Sequence, residues 1–400
     1  MFRACLYRMI AALIACTGFL SFPAPAHAQT AMTGQPLSVC VLRDTGGMNA
    51  ATLIHQPERF DCTTEQHMFG AGDYWVISKD INQRSRSRQP LAARTASVWQ
   101  EQIALHVLYA DGRMVNMPTD KRGVTPLIQL GALVEYPLPR LEPEIVRLLW
   151  HVKGSANARG IVLGPRLATA DQSARANLTM AAIYAGFAGL CIALIIYNLA
   201  LWGALRHRFQ LYYCVMVTAL LAYTFSSSGV LAWAMPEIVN NDRLRLNYLL
   251  LGFTGASALI FARSFFEERV FAGWLGKYTA IVTSAMAGAG ILFFISAPFS
   301  VRTADSVFTM VFLGLATVVG PTLWQAWRKR SNFLWLFAIG WGVPILTAIL
   351  RTLAGLHIIP WNFWLDNSTM LSMVVEAMMS SLAIAYRIKL LRDERDWAIA

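Results

Sequence analysis

Met180-Ala181-Ala182-Ile183-Tyr184-Ala185-Gly186-Phe187-Ala188-Gly189-Leu190-Cys191-Ile192-Ala193-Leu194-Ile195-Ile196-Tyr197-Asn198-Leu199-Ala200-Leu201 is the first of seven apolar stretches in the second half of the chain. Its length is close to the roughly 20 residues needed to cross about 30 Å of hydrocarbon. In lipid such a segment must satisfy its backbone polar groups internally, so it is helical. Six more stretches follow, and the spans read as about 179–201, 209–229, 246–266, 278–297, 306–326, 332–353 and 369–386. Residues 178–386 are thus expected to form an all-α bundle of seven membrane-crossing helices.

The basic residues between the spans orient that bundle. One side carries Arg206, Arg208, Arg263, Arg269, Lys277, Arg328, Lys329, Arg330, Arg387, Lys389, Arg392 and Arg395. The other carries only Arg243, Arg245, Arg302 and Arg351. The richer side is cytoplasmic by the positive-inside rule. Everything before residue 179 is then outside and the C-terminal tail inside, as an odd number of crossings requires.

The N-terminus points the same way. Arg3 and Arg8 precede an apolar run from Met9 to Leu20, Pro23 and Pro25 break it, and Ala26-His27-Ala28 supplies small residues before Gln29. Residues 1–28 read as a secretory signal peptide cleaved after Ala28. The alternatives are an uncleaved eighth helix and a lipoprotein site at Leu13-Ile14-Ala15-Cys16. The second ranks lower because the apolar run continues past Cys16 through Phe19, Leu20 and Phe22.

The net charge of +11 reports membrane topology rather than nucleic-acid binding. Much of it lies at the predicted cytoplasmic loops, and no basic helix interleaved with aromatics is present. Of the six cysteines, Cys5 and Cys16 leave with the signal, and Cys191 and Cys214 fall inside crossings as packing residues. Cys40 and Cys62 remain outside, where disulfides persist. Their bridge is preferred to a metal site with His55 and His67, whose spacing fits no compact zinc pattern. No metal and no cofactor are expected.

Residues 29–177 form the external part. Within 36–165, short β-prone runs recur at Ser38–Leu42, Tyr74–Ile77, Ile103–Tyr109, Leu127–Tyr136 and Ile145–Val152, punctuated by Gly, Pro, Asp and Asn. Such spacing predicts an antiparallel β-sandwich. Ala168 to Asn177 reads as a polar connector to the first crossing. HExxH, GxSxG, phosphate-loop and paired-cysteine signatures are all missing, so no catalytic residue is assigned and the chain is not read as an enzyme. Tyr74, Trp75, Trp99, Tyr109 and Trp150 have flat rings that can stack on a sugar or another flat ligand, although core packing accounts for most of them. Tyr74, Trp75, Trp99 and Trp150 are the candidate ligand-binding residues. Arg84, Arg86, Arg88 and Arg94 read as a solvated basic loop.

Inside the crossings, Glu376 stands out, because a carboxylate there is costly and faces the bundle or a cavity. Arg351 is its candidate partner, in either a structural ion pair or a signalling element. Glycines 186, 189, 252, 255, 288, 290, 340 and 342 allow close helix approach, and Pro321 and Pro344 can kink helices. The last helix runs on without Gly or Pro from Ser381 into a tail at 387–400, where Ile384, Ile388, Leu391 and Ala398 begin a coiled-coil seam interrupted by Arg395.

Glu376, Leu382-Ala383-Ile384-Ala385-Tyr386-Arg387-Ile388 and Leu391-Arg392-Asp393-Glu394-Arg395 together resemble the end of the bacterial seven-transmembrane receptors with diverse intracellular signalling modules. Gly72-Asp73-Tyr74-Trp75-Val76 and Gly160-Ile161-Val162-Leu163-Gly164-Pro165 are similar to parts of that family's jelly-roll sensor domain. The resemblance covers nearly all of 36–400. It implies a periplasmic jelly-roll-like sensor, an inner-membrane bundle and a cytoplasmic output, often a diguanylate cyclase or histidine kinase. No GGDEF motif or kinase histidine box occurs up to Ala400, so the output is expected in a longer chain or in a partner protein. The implied partners are a small extracytoplasmic molecule, carbohydrate-like in one reading, the lipid bilayer, the cytoplasmic module and a second copy through the C-terminal helix, but no nucleic acid. A transporter or channel-like protein is the alternative, kept by Gly340-Trp341-Gly342-Val343-Pro344 although no internal repeat is visible. A retinal protein is not supported, because no lysine lies between Asn367 and Tyr386.

Overall fold

The computed structural model describes residues 33–84, 89–119, 122–158, 160–355, 359 and 363–399, without the side chains of some helical residues such as Arg351 and 391–399. The signal-peptide reading of 1–28, together with Arg86 and Arg88, lies outside the described residues.

Among the described residues, ten strands form two five-stranded antiparallel sheets. The first has the order β1 (Gln35–Pro36), β10 (Arg166–Thr169), β4 (Leu91–Ala96), β8 (Leu133–Pro137) and β7 (Ile128–Gln129). The second has the order β2 (Val39–Arg43), β3 (Gly72–Ser78), β9 (Ile145–Ser155), β5 (Gln102–Tyr109) and β6 (Met114–Pro118). Most connections cross between sheets, which gives the expected sandwich. Successive side chains of a strand point to opposite faces. On β9, Leu148, Trp150 and Val152 therefore enter the core with Tyr74, Val76, Leu105 and Val107, against Leu91, Ala93, Val134, Tyr136 and Leu167 of the other sheet.

The second sheet is covered on its outer face as well. Cys40, Trp75, Ile77, Leu108 and Leu149 pack under α1 (Ala50–Leu53), Ile54 and Phe60. Burial on both faces explains why β3 and β9 read as nearly continuous apolar runs. The Cys40–Cys62 disulfide, with a sequence separation of 22, ties this cover to β2. Closing a loop of that size contributes roughly 3 kcal/mol in the chain-entropy model.

Two parts of the fold depart from the sequence reading. β4 carries three alanines and one arginine and shows little β signal, yet it is a central strand. Arg94 sits on it wholly buried, not in a solvated loop. The stretch 168–177, read as a polar connector, is regular throughout. β10 passes directly into α2 (Ala170–Leu205) through a capping box. There the Gln172 N–H donates to Thr169 Oγ1 at 3.3 Å, and the Thr169 N–H donates to Gln172 Oε1 at 3.0 Å. Two orphan helix-end donors are thereby satisfied.

The bundle comprises α2, α3 (Arg208–Ser227), α5 (Asn240–Phe265), α6 (Trp274–Ser296), α7 (Val301–Arg328), α8 (Leu334–Gly355) and α9 (Phe363–Ile399), with a short α4 (Val230–Ala234) against the sandwich. Among the described residues, six of these helices are long and apolar enough to cross a membrane, and the apolar part of α8 spans Leu334–Thr347. Large apolar side chains such as Ile196, Ile281, Met310 and Leu313 face outward, as a lipid-facing surface requires. Pro321 and Pro344 lie inside α7 and α8, which run on past them. Cys191 and Cys214 are free and buried.

α5 and α6 cross closely. A Cβ on Gly252 would stand 2.8 Å from the Met286 carbonyl oxygen, and one on Gly290 would stand 3.1 Å from that of Leu249. Gly186, by contrast, has open space around it. Gly252→Ala should cost about 1–3 kcal/mol, because the obstacle is backbone and cannot rotate away. Gly186→Ala should be neutral or slightly stabilising through helix propensity. Thermal unfolding of the purified protein checks the pair, and equal melting temperatures would refute the close-approach account.

Candidate functional site: the junction of sandwich and bundle

Sandwich and bundle meet through a buried polar network. The β4–β5 loop brings Ser97 against the first turn of α5. Ser97 Oγ donates to Asn240 Oδ1 at 2.8 Å, and Asn240 Nδ2 donates to the Val98 carbonyl at 3.1 Å. Arg243, one turn on, has no exposed surface. Its Nη2 donates to Asn240 Oδ1 at 2.9 Å and Ser97 Oγ at 2.9 Å, and its Nη1 donates to the Ser226 carbonyl at 3.0 Å. No carboxylate ion-pairs with it among the described residues. Neutral oxygens from two bodies hold this charge.

Further bonds close the seam. The Gly131 and Ala132 N–H groups donate to the Ser228 carbonyl at 2.9 and 3.1 Å, and Trp233 Nε1 donates to the Ile128 carbonyl at 2.9 Å. Gly229 is needed here twice over. Its φ is +89°, and a Cβ would come within 2.9 Å of the Gln129 carbonyl. On the far side of the seam, Arg94 Nη2 reaches Asn177 Oδ1 of α2 at 2.8 Å and pairs with Glu135 at 3.4 Å. Burial lowers the pKa of this guanidinium, while the Glu135 charge opposes that shift.

Beside the network lies a cavity of about 370 Å³. Ser97, Val98 and Trp99 of the β4–β5 loop and Asn157, Ala158 and Gly160 after β9 form its sandwich side. Tyr223 of α3, Asn247, Tyr248 and Leu251 of α5, Phe293 of α6, and Asp305, Phe308 and Phe312 of α7 form its bundle side. Tyr248 stacks on Phe293 with ring centroids 3.7 Å apart and meets Phe308 edge-on at 5.0 Å. Its hydroxyl donates to Asp305. The lining combines aromatic walls with a few polar groups and falls within the usual volume range of small-molecule sites.

Of the four candidate ligand-binding residues, only Trp99 lines this cavity. Tyr74 and Trp150 are wholly buried between the sheets, and the Tyr74 hydroxyl is spent on the Phe69 and Gly70 carbonyls. Trp75 faces the other way, stacked on His151 at 3.7 Å. His151 Nε2 in turn meets Asp44 Oδ2 at 2.8 Å. Burial pulls the Asp44 pKa up, but the Gly46 N–H and His151 outweigh it, and the net shift is downward. Arg84 pairs with Glu144 at 3.2 Å on the surface. Glu376 is half-buried within α9, while the proposed Glu376–Arg351 pair lies outside the described residues. No group of three or more potential metal-ligating side chains occurs among the described residues.

The sequence reading passed over Asn240, Arg243, Asn247, Tyr248 and Asp305. Arg243 entered it only as a charge on the sparse side of the bundle. Asn240, Asn241, Asp242, Arg243, Arg245 and Asn247 crowd the first two turns of this helix, so no single pair stood out in the sequence.

A family model described as 7TM diverse intracellular signalling matches residues 180–387. No curated protein matches the chain.

Asn240→Leu should be more damaging than its size suggests. It removes the oxygen that serves Ser97 and Arg243 and leaves a buried charge short of acceptors, at a cost of about 3 kcal/mol. Adding Arg243→Met in the same chain removes the stranded charge and should recover part of that loss. Melting curves of the two variants decide this. A double variant less stable than Asn240→Leu alone would show that the network is not organised around this pair.

Proposed function

The chain belongs to the 7TM diverse intracellular signalling family, whose model spans more than half of it, and on that premise we propose that it detects a small molecule at the junctional cavity and relays its presence along the bundle to the C-terminal helix. The family makes it a multi-pass membrane signalling receptor. The sandwich faces the periplasm of a bacterial inner membrane, and α9 enters the cytoplasm, where it drives an output module or a partner protein. The basic asymmetry across the bundle supports that orientation.

One observation carries the reading: α5 connects the cavity to the exit of the last helix. Its first turns supply Asn240, Arg243, Asn247 and Tyr248 to the junction. Its last turn offers carbonyl oxygens to Arg387 of α9. Arg387 Nη1 donates to the Ser264 carbonyl at 3.1 Å and also to that of Phe265. Its guanidinium lies over the rings of Phe209, Phe265 and Phe333, with centroid distances of 4.5, 5.1 and 5.9 Å. A cation at a helix C-terminus is favoured by the helix dipole, and the aromatic faces add cation–π attraction. At 26 residues, α5 spans about 39 Å from one end to the other.

A ligand can shift such a device only through different affinity for two arrangements. A cavity walled by sandwich loops on one side and by four helices on the other meets that condition, because relative movement of the two bodies changes its shape. Glu376 belongs to the same relay in this reading. It adjoins Ala377, whose carbonyl accepts from the Tyr213 hydroxyl of α3 at 2.9 Å.

Alkaline phosphatase fused after Ala400 should be inactive, and an active fusion would overturn the orientation. In lipid nanodiscs, Arg387→Gln should raise hydrogen exchange across 380–390 and leave the β3 and β9 strands unchanged. Unchanged exchange at 380–390 would remove Arg387 from the relay. Reconstituted protein should move no solute, and flux of one across the vesicle would favour a transporter.

A further inference from the structure

We propose that the outer face of the bundle carries a site for an acidic phospholipid, with the phosphate on Arg263 and an acyl chain along α5. The binding rests only on the membrane domain, and its consequence for α9 rests on the relay proposed above. α5 packs between α3 and α6. Over its last turns the three helices leave a groove of about 410 Å³. Leu259, Ile260, Arg263 and Ser264 of α5 line it, with Tyr212 of α3 and with Ala280, Thr283 and Ser284 of α6. The spacing of the α5 residues puts them on one helix face, and the small side chains of α6 leave the space open. Leu211, Ile260 and Ile281 are exposed in or beside the groove. The groove therefore opens sideways, toward acyl chains.

One end of this apolar groove is basic. Arg263 stands in the last turn of α5 with its side chain exposed. Glu267, one turn on, is engaged elsewhere: its Oε2 accepts from Ser331 Oγ at 2.7 Å, and its Oε1 pairs with Arg269 at 3.6 Å. Arg208 lies four residues before Tyr212 on α3, and Lys277 lies three before Ala280 on α6. Those spacings place both on the helix faces that line the groove, one turn nearer the helix ends, and both are exposed. Basic residues gathered from three helices complement an acidic headgroup. A guanidinium meets a phosphate with two parallel hydrogen bonds. Tyr212 and Ser284 add hydroxyls to the lining, while those of Ser264 and Thr283 are spent on the Phe261 and Thr279 carbonyls.

The depth of the groove matches a lipid. Exposed Trp274 at the start of α6, and Trp324 and Trp327 near the end of α7, form the aromatic belt expected at a membrane interface. Arg263 lies at that end of the bundle, and Leu259 and Ile260 lead from it toward the hydrocarbon. Headgroup and acyl chain thus meet the protein at the depths they occupy in a bilayer. A soluble anion would use the basic end alone and leave the apolar length unused. The groove also adjoins the clamp on the exit helix. Ser264 lines it, and the Ser264 carbonyl accepts from Arg387 Nη1 at 3.1 Å. A lipid seated there braces the turn that holds Arg387, so acidic lipid steadies α9.

The test compares phosphatidylglycerol with phosphatidylcholine of the same acyl chains, offered in equal amounts to the full chain in native mass spectrometry. The chain should retain the acidic lipid about fivefold more, equivalent to roughly 1 kcal/mol. Arg263→Gln should bring the two lipids level. Ala280→Trp fills the groove without changing charge and should do the same, so it decides the matter if Arg263→Gln melts early. Arg328→Gln removes a basic residue at the same end of the bundle but outside the groove, and it should leave the preference intact. Equal retention by the unsubstituted chain, a preference that survives Ala280→Trp, or a preference lost as fully in Arg328→Gln would each overturn the proposal. Displacement of the lipid by glycerol phosphate would assign the groove to a soluble anion and overturn it too. In nanodiscs, replacing phosphatidylcholine with phosphatidylglycerol should lower hydrogen exchange across 380–390, and Arg263→Gln should remove that response. If the lipid binds through Arg263 and exchange does not change, the lipid site stands and its coupling to α9 is refuted. If exchange falls equally in Arg263→Gln, α9 responds to acidic lipid by another route and the groove has no part in the relay.

Discussion

A guanidinium with no exposed surface and no ion-pairing carboxylate among the described residues sets the terms for the rest of this molecule. Taking a charge out of water is unfavourable by several kcal/mol unless hydrogen bonds replace its hydration. For Arg243 the replacements are the Asn240 amide oxygen, the Ser97 hydroxyl and the Ser226 carbonyl. The serines come from a sandwich loop and from the end of a different helix, so the charge is tolerated only when sandwich, α3 and α5 are all in place. The network therefore specifies register between the two bodies more than it adds stability. An apolar contact of equal area would be satisfied by many neighbouring placements. This one is satisfied by few.

A specific register gives the continuous helices something to act on. The β10–α2 connection is short and doubly capped, so movement of the first sheet reaches α2 without a slack linker to absorb it. α5 contacts the sandwich at one end and the guanidinium of Arg387 at the other. Between them, Gly252 and Gly290 hold α5 against α6 with no side chain in the gap. α5 is thus held at both ends and along one side.

The seven helices were legible because lipid leaves the backbone one solution and the side chains one polarity, and both show in twenty residues. Four strands of the second sheet, β2, β3, β9 and β5, were legible for a related reason: burial concentrates Val, Ile, Leu and aromatics in runs such as 145–152 and 103–109, whereas the partly exposed edge strand β6 carries no such run. β4 was not legible, since its alanines and Arg94 are selected by close packing against β10 and β8 and by the partner Asn177, all distant in sequence. The aromatic candidates failed to sort themselves for the same reason. Tyr74, Trp75 and Trp150 are strand residues whose alternation sends two inward and one to a covered outer face, while Trp99 lies in the loop that meets the helices. Composition marks a ring as large and flat, but whether it fills a core or lines a cavity depends on an opposing surface some 140 residues away in the chain.

That distinction bears on where a signal can start. The sandwich core is closed by apolar side chains with no exposure, and a site carved from Tyr74 and Trp150 would have walls fixed to one rigid body. Occupancy there would change stability but would favour no arrangement of the helices, and a ligand of equal affinity for two states shifts neither. A site with one wall on the sandwich and the other on α3, α5, α6 and α7 has different dimensions in every arrangement of the two. Binding energy at that place is necessarily sensitive to bundle position.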